Sequence, residues 1–329
     1  MKLAGLSLGL SLLLQQPSSF VQAPIERRPP TKPVQPDQTS QQPVPQDNVP
    51  TITVESRLVS IAVNVVDQNG APVGGLQQDD FEILEDGKLQ KVAYFDRQSG
   101  APLSIVLAID GSESVLRNEA LEKQAAKKFV NSLLREQDEL DLMDFSDSVR
   151  EIVSFTNQKK RIDEGLNQLQ RGAETALYDA IYLASDRLSQ TRSDAGRRRV
   201  LVLITDGGDT AKRSRYTQAL EQAQRSGTMI YSIIIVPIWA DAGRNTGGEH
   251  ALVQMSNDTG GKYFYVEDKS DLEPAFARVS DDLRTQYVLG YYAPQRSTET
   301  AFRTVKVRMK DAALREKYNL RHRSGYYGR

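Results

Sequence analysis

The sequence has no cysteine among its 329 residues, and it has only two histidines and one tryptophan. The lack of cysteine excludes disulfide bonds, thiolate zinc sites, a cysteine nucleophile and a lipid anchor attached through cysteine. Strong charge of either sign is also missing, because the net charge is −1. Without a basic field to attract nucleic acids or anionic membranes, we expect no nucleic-acid partner. The run Arg197-Arg-Arg199 is interpreted as the solvated start of a strand rather than as a phosphate-binding patch.

The remaining composition is typical of a soluble globular protein, with 39% hydrophobic and 26% charged residues. The length suits one large domain or two ordinary ones, and it is sufficient to bury a sizeable core. Composition does not decide the compartment, so that question depends on the N-terminus.

The first residues have the pattern of an export signal. Lys2 precedes an apolar stretch, Leu3–Leu14, which has the length of a signal-peptide core and is short for a membrane span. Val21-Gln-Ala23 has the small-residue spacing of a cleavage site, so residues 1–23 are predicted to be a signal peptide. Pro24 directly follows that cut, and signal peptidases cleave poorly before proline. An uncleaved segment that tethers the chain to a membrane is therefore an alternative. We predict an exported protein that is periplasmic, on the cell surface or secreted.

Residues 24–50 contain eight of the fourteen prolines, together with many Gln, Thr and Ser residues. Such a segment does not bury enough apolar area to offset the entropy lost on ordering. We predict a disordered, polyproline-like linker with no chemistry of its own.

Two flanking segments, residues 51–98 and 286–327, alternate apolar and polar residues as half-buried strands do. Turn signals at Asp67-Gln-Asn-Gly70 and Asp86-Gly87 separate the strands of the first segment. Because the first segment is thin for an independent core, we predict that the two flanks form one small β-sandwich. The predicted strands are Leu58–Val66, Asp80–Glu85, Gln90–Phe95, Gln286–Tyr292, Phe302–Met309 and Tyr318–Arg321.

Between the flanks, residues 101–285 alternate apolar strands with amphipathic helices. Repeated βα units predict an α/β fold with a doubly wound, mostly parallel, Rossmann-like sheet and right-handed crossovers. This α/β domain is predicted to be inserted in the β-sandwich. The predicted strands are Leu103–Ile109, Glu139–Phe145, Arg199–Thr205, Met229–Val236 and Lys262–Val266, with Val149–Val153 as a hairpin edge.

Helical spacing of apolar residues predicts the intervening helices. One helix is predicted over Tyr216–Ser226, with Gly227 closing it, and another over Ala251–Asn257. The motif Ser270-Asp-Leu-Glu273 is interpreted as a capping box that opens the last helix, which runs to about Leu283. The remaining helical stripes contain Leu121 to Leu134, Ile162 to Leu169 and Leu177 to Leu188.

Oxygen-bearing side chains follow the first strand of the α/β region, where Asp110, Ser112 and Ser114 occupy a strand-to-helix turn. Ligand crevices of open α/β sheets lie at the carboxyl ends of strands. A hard cation such as Mg²⁺ prefers oxygen ligands, and this turn supplies three. The motif by itself is a weak signal, because capping of the following helix by Ser112 or Ser114 is an alternative explanation.

Two further loops strengthen the prediction of a metal site. Thr175 lies at a helix start, and Asp206 follows the strand that ends at Thr205. Thr175 alone is readily explained as a helix cap, and Asp206 with Gly207 as a turn. Three such coincidences at adjacent loops are improbable, so metal binding is the favoured interpretation. For nearby acids we favour solvation, helix capping or support of the ligands over direct ligation; they are Glu113, Glu174, Asp179 and Asp209.

The three motifs, in this order and separation, resemble the von Willebrand factor type A (VWA) domain with its metal-ion-dependent adhesion site (MIDAS). They are Asp110-Gly-Ser-Glu-Ser114, Glu174-Thr-Ala-Leu-Tyr-Asp-Ala-Ile181 and Ile204-Thr-Asp-Gly-Gly-Asp209. The flanks resemble a bacterial, exported subset of that family, through Leu76–Phe81, Glu85–Gly87, Leu289–Tyr292 and Gly325–Tyr327.

By that resemblance, Ser112, Ser114 and Thr175 offer hydroxyl oxygens to Mg²⁺ or Mn²⁺, and Asp110 and Asp206 act largely through waters. Neutral direct ligands leave the ion electrophilic and short of one anionic ligand. An Asp or Glu of a protein partner supplies it, which implies metal-bridged adhesion rather than catalysis. Hydroxyl-rich coordination mildly disfavours Ca²⁺.

Two rival functions stay open: a Mg²⁺-dependent phosphatase-like hydrolase, and a structural scaffold with a vestigial site. Aspartyl phosphotransfer needs a nearby acid or base and a phosphate clamp. The usual second carboxylate of such enzymes is replaced here by Ser112, and His250 and His322 lie outside the three loops. We therefore expect no enzymatic activity.

Overall fold

The structure is a computed structural model, and it describes residues 56–97, 100–112, 119–192, 197–236, 245–294 and 301–328. The predicted signal peptide and linker, together with Ser114, lie outside the described residues. Within those ranges, no helix has the length and apolar character that crossing a membrane requires.

The secondary structure follows the two hydrophobic patterns of the sequence. The N-terminal flank forms β1 (Ser56–Asp67), β2 (Phe81–Glu85), β3 (Lys88–Gln90) and β4 (Tyr94–Asp96). The central region forms β5 (Leu103–Asp110), α1 (Glu119–Leu133), β6 (Glu139–Phe145), β7 (Val149–Thr156), α2 (Lys159–Leu166), α3 (Leu177–Ser189), β8 (Arg198–Thr205), α4 (Tyr216–Ser226), β9 (Thr228–Ile235), α5 (Thr246–Thr259), β10 (Tyr263–Val266) and α6 (Leu272–Arg284). The C-terminal flank forms β11 (Tyr287–Pro294), β12 (Phe302–Met309), α7 (Ala312–Lys317), β13 (Tyr318–Arg321) and β14 (Gly325–Tyr327).

The central sheet has the strand order β10-β9-β8-β5-β6-β7, and its strands run parallel except for the edge strand β7. Strands β5 and β9 are buried along their whole length, because their nearly continuous apolar runs are covered on both faces. Helices α1, α2 and α6 pack on one face, and α3, α4 and α5 pack on the other. Strand β6 is added beside β5 on one side of the sheet, and β9 is added beside β8 on the other. The strand order therefore reverses between the neighbouring strands β5 and β8.

The flanks pair with each other, as the sequence predicts. One sheet has the order β13-β1-β11-β4 and the other β14-β12-β2-β3, so each combines strands from both ends of the chain. Their facing apolar side chains form a separate core that includes Ile61, Ile83 and Leu289. The predicted fold class, a doubly wound sheet inserted in a β-sandwich, is confirmed, whereas the domain boundaries stay predictions.

A buried polar network at the C-terminal end of α6 joins the α/β domain to the sandwich. The Asp282 carboxylate accepts hydrogen bonds from the Tyr231 hydroxyl at 2.6 Å and from Arg321 Nη2 at 2.6 Å. Gln286 Nε2 donates to Asn64 Oδ1 at 2.9 Å and to the Tyr231 hydroxyl at 3.0 Å. The network therefore links the end of α6 to β1, β9 and β13.

A second carboxylate ties the two connections of the α/β domain to one point. Asp138 accepts hydrogen bonds from the backbone N–H of Leu103 at 2.8 Å and of Arg135 at 2.9 Å. Its Oδ2 also contacts Arg284 Nη2 at 2.5 Å. Leu103 begins β5 and Arg284 ends α6, so Asp138 holds the start and the end of the inserted domain together.

Two predicted flank features differ from the structure. The predicted strand Gln90–Phe95 is divided into β3 and β4, because β3 pairs with β2 while β4 pairs with β11 in the opposite sheet. Residues 91–93 cross between the sheets. The short helix α7 was not predicted, and it begins where the Asp311 side chain accepts the N–H of Ala313.

Two predicted helix starts are also wrong. Helix α5 begins at Thr246 rather than Ala251, because the Asn245 side chain caps it by accepting the N–H of Gly248 despite the Gly-Gly pair. The predicted capping box at Ser270 does not form. The Ser270 hydroxyl donates to Asp268 instead, and α6 begins at Leu272 without a side-chain cap.

Asp141 is a buried carboxylate in the middle of β6, close to the Glu151 and Arg187 side chains. Neither of its oxygens accepts a hydrogen bond from a described residue, and Arg187 Nη2 lies 3.6 Å from Oδ2. Burial, aided by the Glu151 carboxylate and opposed by Arg187, raises the pKa of Asp141 to about 8. The native state therefore retains a proton that the unfolded chain releases near pH 3.8.

We predict that removing Arg321 destabilises the fold strongly, because Asp282 then remains buried without its cation. Arg321→Met is expected to lower the free energy of unfolding by about 3 kcal/mol. Arg308→Met breaks a half-exposed pair with Glu82 and should cost less than about 1 kcal/mol. Urea unfolding of both variants measures the difference, and equal losses would contradict a special role for the junction.

We also predict that Asp141 makes stability depend on pH. The contribution of its protonated form is complete below pH 3.8 and is lost as pH rises through about 8. Asp141→Asn should therefore flatten the decline of stability between pH 6 and 9 by about 3 kcal/mol. Unfolding midpoints across that range test this, with Asp163→Asn, a half-exposed carboxylate paired with Lys127, as the control that keeps the wild-type slope.

Candidate functional site

Asp110 ends β5 as a fully buried carboxylate, 0% exposed. Its Oδ1 accepts the N–H of Ser112 at 2.9 Å, and its Oδ2 accepts the Thr205 hydroxyl at 2.7 Å. Burial raises the pKa of Asp110 to about 6; the bonds from Thr205 and Ser112 oppose this rise, and the nearby Asp206 carboxylate adds to it. Asp110 forms no ion pair with any residue that the structure describes. The strand end thus places two carboxylates near each other without giving Asp110 a cation.

Asp206 directly follows β8. This strand lies beside β5, where the strand order of the sheet reverses. Its Oδ1 accepts the N–H of Gly208 at 3.1 Å, and Gly207 has a φ of 86°, which a side chain strongly disfavours. The two acidic strand ends are neighbours because β5 and β8 pair in parallel register up to Ile109 and Ile204. This is where open α/β sheets bind ligands.

The loop that carries Thr175 is attached to the Asp110 turn. Ser112 and Gly172 form an isolated parallel bridge, and Gly172 donates its N–H to the carbonyl of Gly111 at 3.2 Å. A side chain at Gly111 would meet the Gln170 carbonyl at 2.3 Å, so glycine permits this close approach. Thr175 is nearly buried, and α3 begins two residues later with Ala176 at the cap position and no side-chain cap bond. Helix capping therefore does not account for the Thr175 side chain.

Asp147 lies between β6 and β7 and was assigned no role in the site from the sequence, yet it also holds the Thr175 loop. Its Oδ1 accepts the N–H groups of Ala173 at 3.0 Å and of Glu174 at 2.7 Å. Thr205 was likewise assigned no role, although it donates to Asp110. In each case a short polar side chain at the end of a strand, or just after it, was the available signal.

A third loop completes this edge. The Thr210 hydroxyl accepts the N–H of Thr175 at 2.8 Å, and the Thr175 carbonyl accepts the N–H groups of Thr210 at 3.0 Å and Ala211 at 3.2 Å. Asp209 accepts backbone N–H groups of Leu177 and Tyr178, as a capping residue for α3 does, and that of Lys212. Helix capping, one of the three roles considered for Asp209 from the sequence, is thus found, and the loop after Asp206 is fastened to the loop of Thr175.

The donor set suits a hard cation better than zinc or a thiolate-bound metal. Within the described ranges, no three His, Asp or Glu side chains are grouped as metal ligands. The oxygens come instead from the carboxylates of Asp110 and Asp206 and from the hydroxyls of Ser112 and Thr175. Oxygen-only ligands favour Mg²⁺ or Mn²⁺, and two close carboxylates favour a dication. Ser114 lies outside the described residues, and the metal assignment stays a prediction.

The doubly wound sheet defines the class of the protein as an open-sheet α/β domain. Its oxygen-bearing side chains lie where the strand order reverses, which is the place where domains of this class bind ligands. Residues 104–278, just over half of the chain, match the von Willebrand factor type A domain. The chain therefore belongs to the VWA domain family, and the resemblance inferred from the three motifs is confirmed. No curated protein matches the chain in sequence.

Solved structures of similar fold include several bacterial proteins. The conserved hypothetical protein BatB from Bacteroides thetaiotaomicron is 16% identical, with a TM-score of 0.44 over 56% of this chain and 100% of that one. The vWF domain of the type V pili tip protein Mfa5 from Porphyromonas gingivalis is 12% identical, with a TM-score of 0.44 over 55% and 94%. A von Willebrand factor type A protein from Catenulispora acidiphila is 14% identical, with a TM-score of 0.48 over 80% and 72%.

We predict that the close contact between Gly248 and the loop after Asp206 tolerates no side chain. A Cβ at Gly248 would lie 1.6 Å from the Gly207 carbonyl oxygen, whereas at Gly247 it would meet only Asn245 at 3.7 Å. Gly248→Ala is expected to cost about 2 kcal/mol of stability, and Gly247→Ala to be neutral or slightly stabilising because alanine favours helices. Urea unfolding compares them, and a neutral Gly248→Ala would refute the contact.

Proposed function

We propose that this protein is an exported, metal-dependent protein-binding module of adhesion type. In this proposal Ser112, Ser114 and Thr175 hold Mg²⁺ or Mn²⁺ through hydroxyl oxygens, while Asp110 and Asp206 support it largely through waters. The ion retains one position for an Asp or Glu side chain of a partner protein. When bound, the ion supplies an electrophilic contact for that carboxylate.

The observation that carries the proposal is the electrostatic position of Asp110. A buried carboxylate is costly unless it is paired, protonated or bound to a metal. The described neighbours of Asp110 are hydrogen-bond donors and the Asp206 carboxylate, so an external dication satisfies both acids. Membership of the VWA family supports the same interpretation.

We further propose that the chain does no catalysis. In the described part of the site, Asp110 and Asp206 accept hydrogen bonds from backbone N–H groups, and Asp110 also accepts one from the Thr205 hydroxyl, which supports a binding role rather than proton transfer. His322 lies away from the site, where its Nε2 accepts the N–H of Val307 in the sandwich. A phosphatase assay addresses the rival hydrolase: Mg²⁺-dependent turnover that Asp110→Asn abolishes would overturn the proposal.

We predict that metal affinity depends on the loop side chains and not on the general acidity of the surface. Asp110→Asn and Thr175→Val should each weaken Mg²⁺ or Mn²⁺ binding at least about tenfold while the fold is kept. Asp163→Asn, which removes a half-exposed carboxylate of α2, serves as the matched control. Isothermal titration measures the affinities, and wild-type binding by both site variants would exclude this metal centre.

The same variants test the partner bridge. Protein captured from an exported fraction by the wild-type chain in Mg²⁺ should be released by EDTA, and Thr175→Val should capture it poorly. Partner binding that persists unchanged in EDTA would contradict metal bridging, whatever the metal affinity.

A further inference from the structure

The edge of the sheet that carries the candidate metal site also carries a group of exposed cations. Lys212, Arg213 and Arg215 lie in the loop between Asp206 and the start of α4, and all three side chains are exposed. We refer to these three residues as the basic loop. With a net charge of −1 for the whole chain, their concentration in a four-residue stretch is a local feature rather than a general excess.

The backbone of the basic loop is held in a fixed position beside Thr175. Thr210 and Ala211 donate their N–H groups to the Thr175 carbonyl, and Asp209 accepts the N–H of Lys212. Lys212 has a φ of 50°, a conformation that residues other than glycine adopt only when surrounding contacts impose it. The cations therefore project from a fastened loop next to a predicted metal ligand.

These cations have no acidic partners among the residues that the structure describes. Exposed cations elsewhere form ion pairs, such as Lys127 with Asp163 at 2.6 Å and Lys128 with Glu273 at 2.6 Å. The basic loop has no comparable pair within the described ranges, although it lies close in sequence to Asp209. The carboxylate of Asp209 is occupied by backbone N–H groups, so the positive charge of the loop faces solvent.

Acidic side chains are exposed on the loops that adjoin the site. Asp147 and Glu174 are exposed on the two loops that adjoin Ser112 and Thr175. The charge around the site is therefore asymmetric: Asp147, Glu174 and the exposed Arg171 lie on the adjoining loops, whereas the basic loop carries three exposed cations within four residues. Such asymmetry selects and orients a charged partner more than it increases affinity.

We propose that the basic loop is a second contact for the partner, and that the partner's docking segment is an acidic peptide stretch with several carboxylates. One carboxylate reaches the metal, and further Asp or Glu residues on one side of it pair with Lys212, Arg213 and Arg215. This inference rests on the proposed metal bridge, and it adds the polarity of the bound segment. Charge screening limits the contact to about 8 Å at physiological salt, or two to three extended residues.

Synthetic peptides test this without knowledge of the natural partner. Two short Gly/Ser peptides with a single central Asp are immobilised at equal density; one carries additional Glu residues beside the Asp, and the other has neutral flanks. The full chain is compared with K212Q/R213Q/R215Q and with K159Q/K160Q/R161Q, in excess Mg²⁺ and in EDTA. The second triple variant removes the same charge from exposed residues at the start of α2. Because α2 follows the antiparallel strand β7, these residues lie at the end of the sheet opposite the candidate site.

In Mg²⁺, the wild-type chain and the α2 variant should bind the acid-flanked peptide at least about tenfold more tightly than the neutral one at low salt. The basic-loop variant should bind both peptides equally, at the wild-type affinity for the neutral peptide. A basic-loop variant that keeps the preference would overturn the inference, as would an α2 variant that loses it to the same extent. If the peptides bind equally well in Mg²⁺ and in EDTA, the metal bridge is refuted. The basic loop is then tested by comparing the wild-type chain with the basic-loop variant in EDTA. Equal binding by these two chains would refute a role for the basic loop.

Discussion

The constraint on which this edge of the molecule depends is the burial of one carboxylate, Asp110, between two strand ends. A charge removed from water must be neutralised or bound, and the described neighbours supply only hydrogen bonds from Ser112 and Thr205. The nearby Asp206 carboxylate adds repulsion, so the charged form of Asp110 is disfavoured among the residues that the structure describes. Hydrogen bonds thus fix the geometry of the Asp110 oxygens, while no residue that the structure describes supplies Asp110 with a counterion.

The second constraint is the insertion of one domain into another. Both sheets of the sandwich combine strands from the two ends of the chain, so the sandwich closes only after the α/β region has been traversed. The polar network around Asp282 then joins the two bodies, and the carboxylate of Asp138 fastens the start of the inserted domain to its end. Apolar layers stabilise each body, whereas directional bonds determine how they meet.

The sequence predicts the architecture well, because continuous apolar strands such as β5 and β9 and alternating strands such as β1 differ in period. It also predicts that Asp110 and Asp206 are neighbours, since parallel strands end at one edge. The errors arise where a polar side chain has more than one possible partner. Ser270 bonds Asp268 rather than the helix, and Asn245 starts α5 ahead of a Gly-Gly pair. The bonds of Asp147 and Thr210 to the Thr175 loop span long stretches of sequence and have no local pattern.

The clamp formed by Asp138 has a mechanical consequence. The chain enters the inserted domain at its first strand and leaves it after its last helix. These two points lie side by side, at the end of the sheet remote from Asp110. A force applied at the end of the sheet that carries Asp110 would be transmitted along the strands and divided between two covalent connections. One connection leads into β4 and the other into β11, and these two strands pair in antiparallel register over Tyr94 to Asp96. Tension therefore loads that ladder together with the domain, instead of peeling the parallel sheet from one side.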